Sequence, residues 1–373
     1  MEEAKVTPWE VTGEVDYDTL IKEFGTSKIT PSILESIKKH SKKLHYMLER
    51  GIFFSHRDLD IVLKEYSEGK KFAIYTGRGP SGDTHLGHMI PWIFCKWLQD
   101  AFNVDFYFMI TDDEKFLCKK DLTLEQTNKL AYENALDIVA LGFDPKKTFI
   151  FADTDYMNQL YKIALPIAKR VTASQAKAVF GFTNNTNIGM YLWPAIQAAT
   201  CFLPSVLTGK KIRTLIPAAI DQDPYWRIAR DVAPKLGFPK TAAIHNIFLP
   251  SLKGPQGKMS TSEGNEATIF TTDDEKTVKK KINKYAFSGG RDTLEEHRKK
   301  GGNPDIDMSY QWLTFFEEDD KKLKKIYDDY KSGKLLSGEL KAILIKKVNT
   351  FLKQHQKNRE KAKKLLPKFI LKD

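Results

Sequence analysis

The chain has 373 residues, 41% of them hydrophobic, 12% aromatic and 29% charged, with 59 Lys/Arg against 48 Asp/Glu and a formal net charge of +11. That length buries a full core without disulfide or metal staples and makes room for two or three domains, and the composition excludes a disordered tail and a membrane protein. Three widely spaced cysteines, Cys95, Cys118 and Cys201, exclude a disulfide framework and a zinc ribbon. The acidic start Met1-Glu2-Glu3 is unlike a presequence, and no apolar stretch reaches the ~20 residues of a membrane span, so a cytoplasmic protein is expected.

Residues 1–70 read as an appended segment. Val6 to Val15 predicts a small hairpin, Asp16 to Phe24 and Pro31 to Arg50 predict helices, and Ser55-His56-Arg57-Asp58 opens a short helix over Leu59 to Tyr66, with Ser55 or Asp58 as its cap. Strands then alternate with helices. Phe72 to Thr76 runs into Gly77-Arg78-Gly79-Pro80, and His85 to Phe102 predicts a helix weakened by Pro91. Val104 to Thr111 is an apolar run suited to a strand buried on both faces. Thr123-x-x-Gln126 resembles a capping box that opens a helix ending at Gly142. Thr148 to Ala152, Arg213 to Ile220 and Thr241 to Leu249 are further strands, with a helix over Pro224 to Leu236.

Two connectors share one grammar. Leu141-Gly142-Phe143-Asp144-Pro145 leads to Thr148, and Leu236-Gly237-Phe238-Pro239 leads to Thr241. Each ends a helix at Gly, blocks continuation with Pro and starts a strand at Thr, the pattern of a parallel sheet with helical crossovers. The expected fold is a doubly wound, Rossmann-like α/β domain over 71–267, with a helical insertion at about 120–205. A mostly α-helical domain over 268–373 follows, because strands disappear after about Asp273. From Lys331 to Asp373 thirteen Lys/Arg face three Asp/Glu, so nearly all the excess charge lies at this end. Such a face suits a polyanion, and Phe351 and His355 are candidates for contacts with bases.

Two motifs carry chemistry. A glycine-rich turn, Gly77-Arg78-Gly79-Pro80-Ser81-Gly82, precedes His85-Leu86-Gly87-His88 at the start of a helix. Backbone N–H groups and the helix terminus there favour an anion, and the two histidines, three apart, share one helix face. Alone, His-x-Gly-His reads more often as a satisfied structural pair; after a strand and a glycine turn it reads as a phosphate site. The second motif, Lys258-Met259-Ser260-Thr261-Ser262, sits between Gly254, Gly257 and Gly264 just past the last strand. Alone it is a flexible linker; in that position it reaches the same crevice.

Together the motifs resemble the His-Ile-Gly-His and Lys-Met-Ser-Lys-Ser signatures of the class I aminoacyl-tRNA synthetases. Tyr75-Thr76-Gly77-Arg78-Gly79-Pro80, Thr111-Asp112-Asp113-Glu114-Lys115, Pro194-Ala195-Ile196-Gln197 and Ala219-Ile220-Asp221-Gln222-Asp223-Pro224-Tyr225 narrow the resemblance to the eukaryotic-type cytoplasmic tryptophanyl-tRNA synthetases. The resemblance covers nearly the whole chain from Pro8 onward. It implies activation of L-tryptophan by ATP, with Mg²⁺, to tryptophanyl-adenylate, then transfer to tRNA(Trp) by a homodimer with an anticodon-binding C-terminal domain. It gives His85, His88 and Lys258 catalytic roles on the phosphates, with Arg78 as a further phosphate ligand, and no dedicated protein metal site. It places Gly77, Gly79, Gly87, Asp221, Met259 and Ser260 around ATP, and Tyr75, Met109, Thr111, Glu114, Gln197 and Gln222 around the amino acid. Tyr75 is expected to accept the indole N–H. Met109 stands where relatives carry a Gln that shares this task, and a thioether is a poor substitute. A fold of Pro8-Trp9-Glu10-Val11 over the ATP site is also implied. The rival readings are a tyrosyl-type synthetase and a catalytically silent RNA-binding relative.

Overall fold

The computed structural model describes residues 5–6, 11–12, 16–254, 258–259 and 265–373. Strands β1 (Lys5–Val6) and β2 (Val11–Thr12) pair antiparallel, giving the expected hairpin. Pro8, Trp9 and Glu10, expected over the ATP site, lie outside the described residues.

A seven-stranded sheet organises the rest. In chain order its strands are β3 (Ser27–Lys28), β4 (Phe53–Arg57), β5 (Phe72–Arg78), β6 (Asp105–Ile110), β7 (Thr148–Ala152), β8 (Arg213–Ala219) and β9 (Ala242–Asn246). In space the order is β3-β4-β9-β8-β5-β6-β7. The five strands from β9 to β7 are parallel, and β4 and β3 add antiparallel strands at one side. The chain moves outward from β5 through β6 to β7, then returns to build β8 and β9 on the other side. The topological switch therefore lies between β5 and β8, and a ligand crevice opens at their carboxyl ends.

The apolar runs explain this centre. Phe106 to Ile110 of β6 are all buried, and β5 is buried from Phe72 to Thr76. One face packs on the helix Leu86–Phe102 and the other on the helices Met157–Ala168 and Ile188–Thr200. The C-terminal helices belong to the first of these cores, where Trp312, Leu313, Tyr330 and Leu344 join Leu86 and Phe94. The capping box at Thr123 is formed, with Gln126 N–H donating to Thr123 Oγ1 and Thr123 N–H to Gln126 Oε1. Gly142 (φ 82°) and Gly237 (φ 77°) take the left-handed conformation that both connectors require.

Three expectations change. Ser55, His56 and Arg57 form β4, because pairing with β9 and burial override the helix-start signal. The helix Leu59–Ser67 begins only after Asp58, whose side chain makes no cap and instead accepts from Arg230 at 2.9 Å. Pro31 to Arg50 splits into Pro31–Ser41 and Tyr46–Glu49 at Lys42, which has φ 64°. Extended pairing also does not stop near Asp273. Ile370 lies parallel to Ile150 of β7, with Ile150 N–H donating to Phe369 O and Leu371 N–H to Ile150 O, both at 2.8 Å.

Candidate active site

Tyr75 to Arg78 deliver the floor of a cavity of about 810 Å³ at the β5/β8 switch. Every residue expected at the site lines it except Met109, which lies behind Tyr75, and Ser260, which is outside the described residues. Two glycines on this turn have steric reasons. A Cβ at Gly77 would stand 2.7 Å from the Met109 carbonyl oxygen on β6. One at Gly79 would stand 1.9 Å from Lys115 Cε and 2.8 Å from Glu114 Oε2. These two positions thus carry no side chain, so that Thr111 to Lys115 can fold over the turn.

His85 and His88 open the helix Leu86–Phe102, their rings stacked with centroids 3.6 Å apart. Burial and the nearby charges of Arg78 and Lys258 push His85 down to about 3 and His88 well below its ordinary value. Both are therefore neutral, each able to offer one N–H and one lone pair. His85 Nδ1 is buried with no partner among the described residues. Pro91 cannot donate to the Gly87 carbonyl one turn back, which leaves the first turn of this helix open on the cavity side.

Arg78 has surroundings other than those expected of a phosphate ligand. Its Nη1 lies 2.7 Å from the His88 ring nitrogens, its Nε donates to Asn134 Oδ1, and its Nη2 donates to the Gly82 and Asp83 carbonyls at 3.0 and 2.9 Å. Burial lowers its pKa to about 10, so it stays charged. The guanidinium is occupied with holding the turn and the second histidine.

Lys258 comes to the same crevice from the opposite side. It bridges to Pro250, and Met259 N–H donates to Leu249 O at 2.8 Å. Lys258 Nζ bonds Asp221 Oδ2 at 2.5 Å and lies 5.3 Å over the Phe248 ring. The other oxygen, Asp221 Oδ1, is buried and unpartnered among the described residues.

The inner end of the cavity is aromatic. Tyr75 meets Trp226 edge-on at 5.5 Å, and Trp193 meets Tyr225 edge-on at 5.4 Å. The Tyr75 hydroxyl, which burial pushes well above its ordinary pKa, donates to Met109 Sδ at 3.1 Å, and Thr200 Oγ1 donates to the same sulfur at 3.1 Å. Met109 thus takes the Tyr75 proton and leaves the phenol oxygen's lone pairs for a donor in the cavity. Glu114 is held by Thr111 Oγ1 at 2.8 Å and Lys115 Nζ at 2.9 Å. Gln197 Oε1, Asn246 Oδ1, Trp193 Nε1 and Trp226 Nε1 are buried without partners among the described residues. Such orphans concentrated in one cavity mark where a polar ligand completes the hydrogen bonding.

Below the Asp221-Gln222 turn lies its anchor. Asp223 is buried and receives Arg57 Nε at 2.6 Å, Arg57 Nη2 at 2.7 Å and Arg227 Nε at 3.2 Å, with His245 Nε2 3.4 Å away. Burial raises its pKa, but the bonds from Arg57 and the proximity of the His245 ring outweigh that and hold it below the usual carboxylate range. Ser55 Oγ lies 3.0 Å from His245 Nδ1, which completes a hydroxyl–imidazole–carboxylate chain. All three side chains are buried, so the chain is a support and not a nucleophile.

Sequence reading missed Lys115, Trp193, Tyr225, Trp226, Asn246 and Phe248 as cavity residues. Lys115 and Tyr225 stood inside quoted motifs; the two tryptophans lie on helices, where large aromatics read as core. The expected base contacts at the basic end change as well. His355 is buried, with Nε2 2.9 Å from Asp137 Oδ1, and Phe351 stacks on its ring, so both are used inside the protein. Exposed lysines of that helix include Lys346, Lys353, Lys357, Lys361 and Lys364, spaced along one face, and Lys363, which pairs with Glu360.

Comparison with known proteins agrees with this geometry. A family model described as tRNA synthetases class I (W and Y) matches residues 67–353. Tryptophan--tRNA ligase of Sulfurisphaera tokodaii is 58% identical over 98% of this chain and 94% of its own length. That of Pyrococcus horikoshii is 53% identical over 99% and 94%. Among solved structures, tryptophanyl-tRNA synthetase from Plasmodium falciparum matches with a TM-score of 0.87 at 47% identity, covering 93% of this chain and 94% of that one. The Giardia lamblia enzyme matches at 0.89 and 40%, covering 96% of each. With that coverage, and with both signature motifs on one crevice at the β5/β8 switch, the chain belongs to the tryptophanyl family of the class I tRNA synthetases.

Proposed function

We propose that this chain is a tryptophan--tRNA ligase that activates L-tryptophan with ATP and transfers it to tRNA(Trp). The observation that carries the reading is the set of buried polar atoms without partners among the described residues, His85 Nδ1, Asp221 Oδ1 and Gln197 Oε1, in one cavity that Lys258 also lines. In activation, a carboxylate oxygen of tryptophan attacks the α-phosphorus of ATP, the α–β bridging bond breaks, and its electrons leave on pyrophosphate. The protein's task is alignment and charge stabilisation.

The neutral histidines donate one N–H each to phosphate oxygens. Gly77, Gly79 and Gly87 let the nucleotide approach the backbone. Asp221 takes the ribose hydroxyls, which frees Lys258 to follow negative charge onto the departing pyrophosphate, with Met259 and Ser260 as further ATP contacts. Arg78 acts by positioning His88. Tyr75 accepts the indole N–H, its own proton held on Met109, while Glu114 and Gln197, with Thr111 and Gln222 beside them, bind the ammonium group. Lys115, folded over Gly79, stands where two anions meet. Among the described residues no group of three or more His, Cys, Asp or Glu is placed to hold a metal; in this reading Mg²⁺ arrives on the ATP phosphates, held by their oxygens and water. The terminal ribose hydroxyl of tRNA(Trp) then attacks the adenylate carbonyl and AMP leaves.

The division into an N-terminal segment over 1–70, a catalytic part over 71–267 and an anticodon-binding part over 268–373 belongs to this proposal, as does a homodimer. Exposed Tyr161, Leu165, Ile188, Leu192, Val206 and Leu207 on adjoining helices support the latter. A cytoplasmic place is supported by three unpaired cysteines and by the lack, among the described residues, of a helix fit to cross a membrane. The eukaryotic-type attribution is supported by coverage above 90% of one architecture shared with both Sulfurisphaera and Plasmodium enzymes.

ATP–pyrophosphate exchange with single amino acids tests the function. Tryptophan is expected to support exchange, and Lys258→Ala to reduce it ~10²-fold. Equal exchange with tyrosine or phenylalanine refutes the substrate, and no exchange with any amino acid favours the silent RNA-binding reading.

A further inference from the structure

The long basic helix Ser337–Leu365 does not merely pack against the catalytic part; one turn of it touches the support of both signature histidines. On its inner face, His355 Nε2 and Arg359 Nε lie 2.9 and 3.2 Å from Asp137 Oδ1. Asp137 is buried in the helix Leu124–Ala140. Asn134 stands one turn back on the same helix face. Its Oδ1 accepts from Arg78 Nε, and its Nδ2 donates to Gly82 O at 3.2 Å. Arg78 in turn contacts the His88 ring at 2.7 Å. A second route begins at Gln356, whose Nε2 donates to the carbonyls of Thr271 and Asp273 at 2.9 Å. Thr271 N–H donates to Thr84 O at 2.8 Å, and His85 bridges to Phe270. The outer face of the same turn carries exposed Lys353, Lys357 and Lys361.

We propose that Asp137 is a positioning residue through which this turn sets the Arg78–His88 pair, so that tRNA phosphates held on the outer lysines change the ATP side of amino-acid activation. The proposal rests on the ligase reading above. Asp137 touches neither substrate; it acts across the single helix turn it shares with Asn134, whose Oδ1 accepts from Arg78 Nε. The tryptophan pocket lies on the other face of the sheet, among Trp193, Tyr225 and Trp226, and is not on this route.

The test uses the full-length protein and ATP–pyrophosphate exchange, normalised to active sites by burst titration. Asp137→Asn is expected to lower kcat and raise KM for ATP, together worth at least tenfold in kcat/KM, with KM for tryptophan within twofold of the parent. Saturating tRNA(Trp) is expected to shift KM for ATP in the parent and to lose that effect in Asp137→Asn. A double-mutant cycle between Asn134→Ser and Arg359→Gln, on either side of Asp137, is expected to give a combined loss smaller than the product of the single losses. The proposal is overturned if parent KM for ATP ignores tRNA, if the two losses multiply, or if Asp137→Asn lowers melting temperature while kcat/KM per active site stays within twofold. Parent protein without tryptophan-dependent exchange instead overturns the ligase reading.

Discussion

Arg57→Met tests the anchor beneath the Asp221-Gln222 turn. The methionine fills most of the arginine stem's volume and removes two charge-assisted hydrogen bonds, at 2.6 and 2.7 Å, from a carboxylate with no side-chain exposure. Arg227 at 3.2 Å and His245 at 3.4 Å remain, but Arg227 is 41% exposed and its pull is screened. Removing one partner of a buried pair costs ~3–5 kcal/mol, and the remaining arginine keeps the expected loss near the lower end, about 3 kcal/mol. The sign with pH follows. In the parent, Asp223 has its pKa held below the unfolded value of 3.8, so its contribution is present above that pH and fades only as pH falls through the folded value. In Arg57→Met burial of the charge dominates, and the carboxyl takes up its proton at a higher pH. Urea denaturation from pH 8 to pH 5 should therefore show the largest gap at high pH and a narrowing gap toward pH 5. A gap under ~1 kcal/mol, the range of an exposed pair, or one that does not change with pH, refutes the anchor.

Other expectations follow from the same geometry. Met109→Leu removes the sulfur that accepts from Tyr75 and Thr200; KM for tryptophan should rise ~3–10-fold, in line with a net hydrogen bond, and exchange with the analogue carrying sulfur in place of the indole N–H should fall less. Gly79→Ala drives a Cβ into Lys115 and Glu114; activation should fall ~10²-fold while the urea midpoint moves little. Buried neutral His85 and His45, pushed down to about 3 and about 4 mainly by burial, bind a proton only when unfolded near their ordinary value of 6.5. Stability should therefore decline as pH falls from 7 toward 4, and the pH profile of exchange should carry no histidine limb between 6 and 8.

The sheet was legible because its strands are short apolar runs separated by Gly and Pro connectors, a local signal. β4 was not, since Ser55-His56-Arg57-Asp58 carries the residue types of a helix start and becomes a strand only through β9, nearly 190 residues away. The site was legible where backbone chemistry demanded glycine or a motif concentrated charge. Met109 could be named but not understood: its acceptor role depends on the register that sets Gly77 against Met109 across β5 and β6 and brings Thr200 in from a distant helix. Arg78 and His355 are similar. A cation near a glycine turn and an imidazole among lysines look like ligand contacts until their partners, Asn134 and Asp137, are seen to be protein groups.

The strand-like run around Ile370 has an outcome for assembly. An open sheet offers two rows of unpaired amides, each a template for another chain. Here one row is capped by the protein's own Phe369 to Leu371, and the other ends in the two-residue, solvent-facing Ser27–Lys28. Among the described residues both margins are thus short or partly covered, which disfavours backbone stitching to another chain.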